Sequence, residues 1–374
     1  MNIIGIICEY NPFHNGHLYH INKIKEMYKD SIIVLVMSGS VTERGDLSII
    51  NKWDKTDIAL NYGIDLVVEL PFVFSSQSAD IFCYASMKIL NYLGVNKIIF
   101  GSESNDINKL KILANNQIYN KEYDSTIKEL LKQGYNYPTA LSKSLEKITN
   151  INIDTPNDIL GIGYIREIIK NNYNIEPICI KRTNDYNSNN IDNNICSANA
   201  IRKAIIEKKD ISKYIPDYTN KYLSNTIDIN NYYSYLKYKI ISEIDNLEIY
   251  HSVDKDIIPR IKKYIYISNT LNDLILSIKT KNYTYNRLKR MFIHILFNFT
   301  KDEANNNKEI TYIRVLGFNK NGQQYLNSIK KNIEIPILTT YEDKYLYIEN
   351  RITNIININI PNSKKEYENK IIIK

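Results

Sequence analysis

The first hundred residues alternate short, almost unbroken apolar runs with segments of helical period, and this alternation restricts the fold more than any other feature. Ile3–Cys8, Ser31–Met37, Asp65–Leu70 and Lys97–Phe100 are dominated by Ile, Val, Leu and Phe, as strands covered on both faces should be. Between them, Gly16–Tyr28, Lys52–Tyr62 and Ala79–Leu93 carry apolar residues at helical spacing. Strand–helix–strand repetition predicts an α/β fold: a Rossmann-like parallel sheet with helices on both faces. Residues 104–147 read as mainly helical. Pro156 suits the first turn of a helix over 157–171, Glu176–Lys181 reads as another strand, an Asn-rich loop follows at 184–194, and a helix starts near Ser197.

The texture changes near residue 210, which we take as the expected boundary between domains 1–210 and 211–374. Beyond it the patterns at 220–248, 254–266, 270–280 and 284–298 predict a mainly helical region. Shorter mixed elements follow around Glu309–Phe318 and Glu334–Thr340, then a low-complexity tail, Asn354–Lys374, expected to be loosely held. Charge divides the same way. Residues 1–210 hold 23 Lys/Arg and 24 Asp/Glu, a net of −1, and residues 211–374 hold 25 and 17, a net of +8. A basic second half points to a polyanionic partner, with a plain solubility surplus as the alternative.

No apolar run approaches the roughly 18 residues of a membrane span, and the first residues show no basic or cleavable signal. Cys8, Cys83, Cys179 and Cys196 form no Cys-x-x-Cys pair, so neither a disulfide framework nor a thiolate zinc site is indicated. A cytoplasmic protein without a membrane partner is expected.

Chemistry concentrates between the first strand and the first helix. His14, His17 and His20 are three of only five histidines in the chain, and they sit where an open α/β sheet binds ligands. Imidazoles at a helix N-terminus can reach phosphates already favoured by the free N–H groups and the dipole, and Gly16 removes a Cβ where the nucleotide must approach. A metal site is the rival reading. However, the spacing places His20 about 240° around a helix from His14 and no cysteine supports it, so none is assigned. A third reading makes His14 and His17 helix caps.

His14-Asn15-Gly16-His17 resembles the His-x-Gly-His motif of the nucleotidylyltransferase superfamily. Ser197-Ala198-Asn199-Ala200-Ile201-Arg202 resembles its second motif, with Cys196 in place of a leading Ile and Ala200 where Ser or Thr is common. The longer context is similar to the tRNA(Met) cytidine acetate ligase family. It includes Glu9 through His17, Met37-Ser38-Gly39-Ser40, Arg44-Gly45-Asp46, Lys52-Trp53, Glu69-Leu70-Pro71, Phe100-Gly101-Ser102-Glu103, Pro156 through Gly161, Arg287 through Arg290 and Tyr312 through Phe318. The resemblance covers nearly the whole chain.

The resemblance implies a nucleotidylyltransferase fold and an ATP-dependent, AMP-forming ligase. Acetate would be activated as acetyl-adenylate and its acetyl group passed to N4 of the wobble cytidine of elongator tRNA(Met), with Mg²⁺ assisting. It also implies catalytic roles for His14, His17 and Arg202. The ATP cradle would comprise Ile7, Cys8, Glu9, Tyr10, Asn11, Pro12, Phe13, His14, Asn15, Gly16, His17, Leu18, Tyr19, His20, Gly101, Asn157, Arg182 and Ser197. Asn157 has a helix cap, and Arg182 a surface arginine, as the plainer alternative. Asp46 and Arg44 would close over acetate or the acceptor base, or form a surface pair, and Trp53 is expected to pack a helix on the sheet. Lys281, Arg287, Lys289 and Arg290, interleaved with Tyr283 and Tyr285, combine phosphate-seeking charge with rings for base stacking and are the candidate tRNA contacts. Two other functions fit the motif: a nucleotidylyltransferase acting on a small phosphorylated metabolite, which needs no basic surface, and a non-catalytic nucleotide-dependent RNA-binding protein.

Overall fold

A computed structural model describes residues 1–182, 196–224 and 226–374; the Asn-rich loop expected at 184–194 lies outside them. Its strands are β1 (Ile3–Cys8), β2 (Ile32–Ser38), β3 (Leu66–Leu70), β4 (Lys97–Ser102), β5 (Glu176–Lys181), β6 (Ile313–Phe318), β7 (Ile337–Leu338) and β8 (Ile372–Ile373). The helices are α1 (Asn15–Met27), α2 (Lys52–Asn61), α3 (Phe72–Ser75), α4 (Ala79–Tyr92), α5 (Ile107–Tyr119), α6 (Lys121–Lys132), α7 (Tyr137–Thr149), α8 (Pro156–Lys170) and α9 (Ala198–Ile206). Beyond residue 210 come α10 (Asp217–Asn220), α11 (Tyr233–Ser242), α12 (Ile258–Tyr264), α13 (Leu271–Ile278), α14 (Tyr285–Leu296), α15 (Lys301–Asn306), α16 (Lys320–Ile329) and α17 (Asp343–Ile356).

The sheet runs β5-β4-β1-β2-β3-β6-β7, with β8 also on β6. The first five strands are mutually parallel. Alternation along them divides the core: Ile33, Leu35 and Met37 of β2 face Ile21 and Ile24 of α1 and Ile58 of α2, while Val34 and Val36 face the opposite layer with Leu90 of α4 and Ile165 of α8, as a period of two requires. From central β1 the chain winds first toward β2 and β3, then returns to β4 and β5. The topological switch, where such sheets bind ligands, lies at the carboxyl ends of β1 and β4.

The second half does not stand apart from this sheet. β6 pairs antiparallel with β3, and one apolar cluster runs from Ile3 through α11–α14 to Ile356. The position expected as a boundary, near residue 210, falls between α9 and α10. Within the 220–248 pattern expected to be helical, a 3-10 turn at Ile229–Tyr232, with Asp228 accepting from the Asn230 N–H, leads into α11. The tail is firmly held, contrary to expectation. Glu366 is fully buried against Lys52, and Ile372 and Ile373 pair with Gly317 and Phe318. Among the described residues no helix is long and apolar enough to cross a membrane.

Candidate active site

The chain turns sharply as it leaves β1. Tyr10 takes a left-handed φ of 47° and the buried side chain of Asn11 fixes the turn against a second loop, accepting from the Ile49 N–H at 2.9 Å and donating to the Leu47 carbonyl at 3.3 Å. His14 then caps α1. Its Nδ1 accepts the Gly16 N–H at 3.0 Å, and Nδ1 of His17 accepts the His14 N–H at 3.2 Å. The cap therefore fixes both imidazoles at the N-terminus of α1. A backbone N–H can only donate, so both Nδ1 atoms are acceptors, and each neutral ring carries its proton on Nε2. The two rings stack with centroids 3.8 Å apart.

Electrostatics keep these rings neutral. Burial, reinforced by Arg182 and Arg202, pushes His14 down to about 3. Burial and the neighbouring His14 hold His17 well below its ordinary value, and burial with Arg182 lowers His20 to about 4. Among the described residues, Nε2 of His20 is buried without a partner. The result is a set of neutral N–H donors at a helix N-terminus, beside two guanidinium groups.

A cavity of about 550 Å³ opens over this turn. Of the residues expected to cradle ATP, Ile7 through Asn11, His14, Gly16, His17, Tyr19, His20, Gly101, Asn157, Arg182 and Ser197 line it, as does Arg202. Pro12, Phe13, Asn15 and Leu18 are brought to the same turn but not to the cavity wall. The Phe13 ring is fully buried and stacks on Tyr62 at 5.1 Å, Asn15 donates to the Lys213 carbonyl at 2.8 Å, and Leu18 packs on the α1–α2 core. Arg202 reaches across from α9 to donate to the Asn11 carbonyl at 2.7 Å, and the Ser197 hydroxyl caps α9 through the Ala200 N–H.

The opposite wall is tied together by Glu103, a residue given no role of its own by the sequence. It accepts from Nδ2 of Asn157 at 2.5 Å and from the Asp158 N–H at 3.1 Å, and Arg182 donates to Oδ1 of Asn157 at 3.3 Å. A Cβ on Gly101 would come within 3.1 Å of the Arg182 side chain, so the small residue lets that arginine lie across β4. The cavity also has an apolar inner lobe lined by Phe82, Cys83, Leu145, Ile153 and Tyr164. In the sequence these positions look like ordinary core.

The third wall is the loop at 42–46, clamped between the sheet and α14. Asp46 pairs with Lys289, and Arg202 lies 3.9 Å from it; burial would raise Asp46, but those two cations outweigh it and hold it low. Arg290 donates to the carbonyl and carboxylate of Glu43, at 3.0 and 3.2 Å. Gly45 sits at φ +77°, where a Cβ would lie 2.7 Å from the Arg290 backbone N. Thr284, Asn286 and Arg290 of the second half thus help line the cavity. Beneath them the fully buried Lys55 donates to the carbonyls of Glu9, Ser38 and Gly39 and to the Ser48 hydroxyl, all within 3.0 Å; burial pushes it down to about 7 against the pull of Glu9.

The candidate tRNA contacts separate into two kinds. Lys281 is exposed and Arg287, about two-fifths exposed, pairs with Asp254 at 2.6 Å, whereas Lys289 and Arg290 are engaged inside the protein by the 42–46 loop. The rings of Tyr283 and Tyr285 lie under Arg287 and Lys289, at 4.5 and 5.7 Å. Trp53 is buried in the α2 layer with Arg314 at 5.7 Å over its ring.

Comparison with known proteins agrees with this architecture. Residues 1–370 match the HIGH Nucleotidyl Transferase family. The tRNA(Met) cytidine acetate ligase of Caldicellulosiruptor saccharolyticus is 40% identical over 345 residues, covering 89% of this chain and 86% of that protein. The protein of the same name from Oceanobacillus iheyensis is 35% identical over the full length of both. The crystal structure of Thermotoga maritima TmcAL superposes with a TM-score of 0.93 at 27% identity, covering 100% of this chain and 99% of that one; the form bound with alpha-thio ATP gives 0.90 over the same coverage. With this agreement along nearly its whole length, the chain belongs to the HIGH nucleotidyl transferase family and, within it, to the tRNA(Met) cytidine acetate ligases.

Proposed function

We propose that this protein activates acetate with ATP, releasing pyrophosphate, and transfers the acetyl group from acetyl-adenylate to N4 of the wobble cytidine of elongator tRNA(Met), giving N4-acetylcytidine. The observation that carries the reading is the His14–His17 cap, which leaves two neutral imidazoles with Nε2–H donors at a helix N-terminus. Pyrophosphate is a polyanionic leaving group, and preorganised donors aimed at its developing charge lower the barrier. Arg202 and Arg182 add positive charge from two other sides of the cavity. Acetate attacks the α-phosphate while the site holds the triphosphate, and holding the adenylate beside a flipped-out base supplies proximity without a covalent enzyme intermediate.

Among the described residues, no group of three or more His, Cys, Asp or Glu side chains is placed to hold a metal. Mg²⁺ would arrive with the triphosphate, held by phosphate oxygens and water as it commonly is, and would supply further neutralisation of charge. On this reading residues 1–210 furnish the chemistry and residues 211–374 the tRNA surface, with Lys281 and Arg287 at its exposed part. ATP, a tRNA acceptor and free cysteines together favour a cytoplasmic setting.

Pyrophosphate release from ATP, with and without acetate and before any tRNA is added, tests the first half. Acetate-dependent release is expected, followed on adding tRNA by acetylation of the wobble nucleoside seen by mass spectrometry. Turnover with a phosphorylated metabolite instead of acetate would overturn the proposal.

A further inference from the structure

Three carboxylates line the cavity beside the 42–46 loop: Glu9, Glu43 and Asp46. Two already have cationic partners, Glu43 with Arg290 and Asp46 with Lys289 and Arg202. Glu9, the first residue past β1, is different. Its Oε1 accepts the Glu43 N–H at 2.6 Å, which orients the carboxylate. No lysine or arginine is paired with it among the described residues, and Lys55 bonds its backbone carbonyl only. A half-buried carboxylate held on one oxygen and facing the cavity can accept a proton-bearing group on the other.

Resting on the acetyl-transfer reaction above, we propose that Glu9 is a catalytic residue of its second half: its carboxylate accepts a hydrogen bond from the cytosine N4 amino group and takes the proton that this nitrogen loses. The nitrogen lone pair attacks the acetyl carbon, an N–C bond forms, the C–O bond to phosphate breaks, AMP leaves with that electron pair, and the N4 proton passes to Glu9. The exocyclic amine is a weak nucleophile, because its lone pair is delocalised into the ring, so removing its proton as the bond forms is where a base helps. The same contact selects the base. A carboxylate is the complement of the cytosine N4 donor, whereas uracil presents an oxygen there and is repelled.

The surroundings suit a base near neutrality. Burial, helped by the charges of Glu43 and Asp46, pushes Glu9 up to about 7, against lowering by the Glu43 N–H and by Lys55 of α2. The Cys8 thiol, held protonated by burial, and the Tyr164 phenol of α8, raised by burial, also feel its charge, and Arg44, Arg202 and Arg290 line the same cavity. A raised carboxylate is ionised, and so competent as a base, only above its shifted value; transfer should therefore rise with pH through about 7.

The test compares Glu9→Gln with the wild type in two assays. Glutamine keeps an oxygen for the Glu43 N–H, and thermal melting checks that it folds. The first assay is acetate-dependent exchange of pyrophosphate into ATP; its absence in the wild type would sink the proposed function, not this assignment. The second is single-turnover transfer of radiolabelled acetyl from enzyme-bound adenylate to an elongator tRNA(Met) transcript between pH 6 and 8. Glu9→Gln should slow transfer at least about 100-fold more than it slows exchange, as loss of a general base does, and should abolish the rise with pH, while Glu43→Gln retains that rise. Transfer within about threefold of wild type, a persisting pH rise, or equal loss of both half-reactions would each overturn the assignment.

Discussion

Replacing His14 by alanine removes a helix cap and a proposed phosphate donor together, and the two losses differ enough in size to be read apart. The cap is one hydrogen bond, Gly16 N–H to Nδ1 at 3.0 Å, and losing such a cap costs about 0.5–2 kcal/mol. A chain of 374 residues has an unfolding entropy of about 0.8 kcal/mol per degree, so the melting temperature should fall by only about 0.6–2.5 °C. His17 should stay in place, because it accepts from the His14 backbone N–H, which alanine keeps. Losing one preorganised donor to developing charge costs about 2.7–4 kcal/mol, a factor of 10²–10³ in rate. Acetate-dependent pyrophosphate exchange should thus fall by that factor while tRNA binding, measured by filter retention, changes little. His14→Asn separates the terms: asparagine is a good cap and should restore the melting temperature without restoring exchange. If His14→Ala lowered exchange less than about tenfold, or if asparagine rescued both quantities, the imidazole would be a cap and nothing more.

Lys52 is almost fully buried between Glu69 and Glu366, each at 2.8 Å, with Glu349 at 3.9 Å. Lys52→Met strands those carboxylates and should cost about 3–5 kcal/mol, seen in urea denaturation; a loss below about 1 kcal/mol would show that Arg314 alone compensates them. Gly45→Ala combines a left-handed residue, which costs about 1–2 kcal/mol, with a backbone approach of 2.7 Å. It should lower the melting temperature and slow acetyl transfer more than pyrophosphate exchange, because the 42–46 loop positions Glu9. Burial lowers His294 to about 3, so below about pH 6.5 the unfolded chain binds a proton that the folded one refuses, and stability contributed above that pH is lost on acidification. His294→Gln should therefore flatten the fall in unfolding free energy between pH 6 and 4.5 by about 1.4 kcal/mol per pH unit. Lys281→Glu with Arg287→Glu should weaken tRNA binding and reduce the slope of log affinity against log salt by about one for each phosphate left unneutralised; an unchanged slope would move the tRNA surface elsewhere.

The sheet's first four strands were legible because they are largely buried and therefore spelled as near-continuous apolar runs, and the edge strand β5, only half-buried, still showed its Ile178–Ile180 core; Ile3–Cys8 and Glu176–Lys181 have the expected bounds. β6 was harder. Ile313–Phe318 is fully buried, but Arg314 interrupts the run; its charge is met in the interior by the Thr340 carbonyl at 2.7 Å and by Glu366 at 4.0 Å. Nothing local tells a strand which edge it will join, and Glu69 of β3 stands 245 residues before Arg314, its partner across the ladder. The tail misled for a related reason. Repeated Ile and Asn looked like low complexity, yet Glu366 belongs to a buried charge cluster whose other members come from α2, β3, β6 and α17. In the site, motif positions were readable since chemistry demands particular side chains at a strand–helix turn. Partner choice was not. Lys289 and Arg290 look like any basic helix face until the acidic 42–46 loop packs on them.

Because β6 and β8 complete the sheet from far along the chain, the first five strands emerge from the ribosome with one flank of β3 unpaired. An open strand of Leu66-Val67-Val68-Glu69-Leu70 is a template for pairing with another nascent copy, and the lysine that fills the gap between Glu69 and Glu366 waits for a carboxylate that is translated long after it. Synthesis is thus ordered so that the enzyme can acquire its finished shape only once β8 has cleared the exit tunnel. Premature termination between residue 210 and β6 should yield a chain recognised by quality control rather than a partly active catalyst.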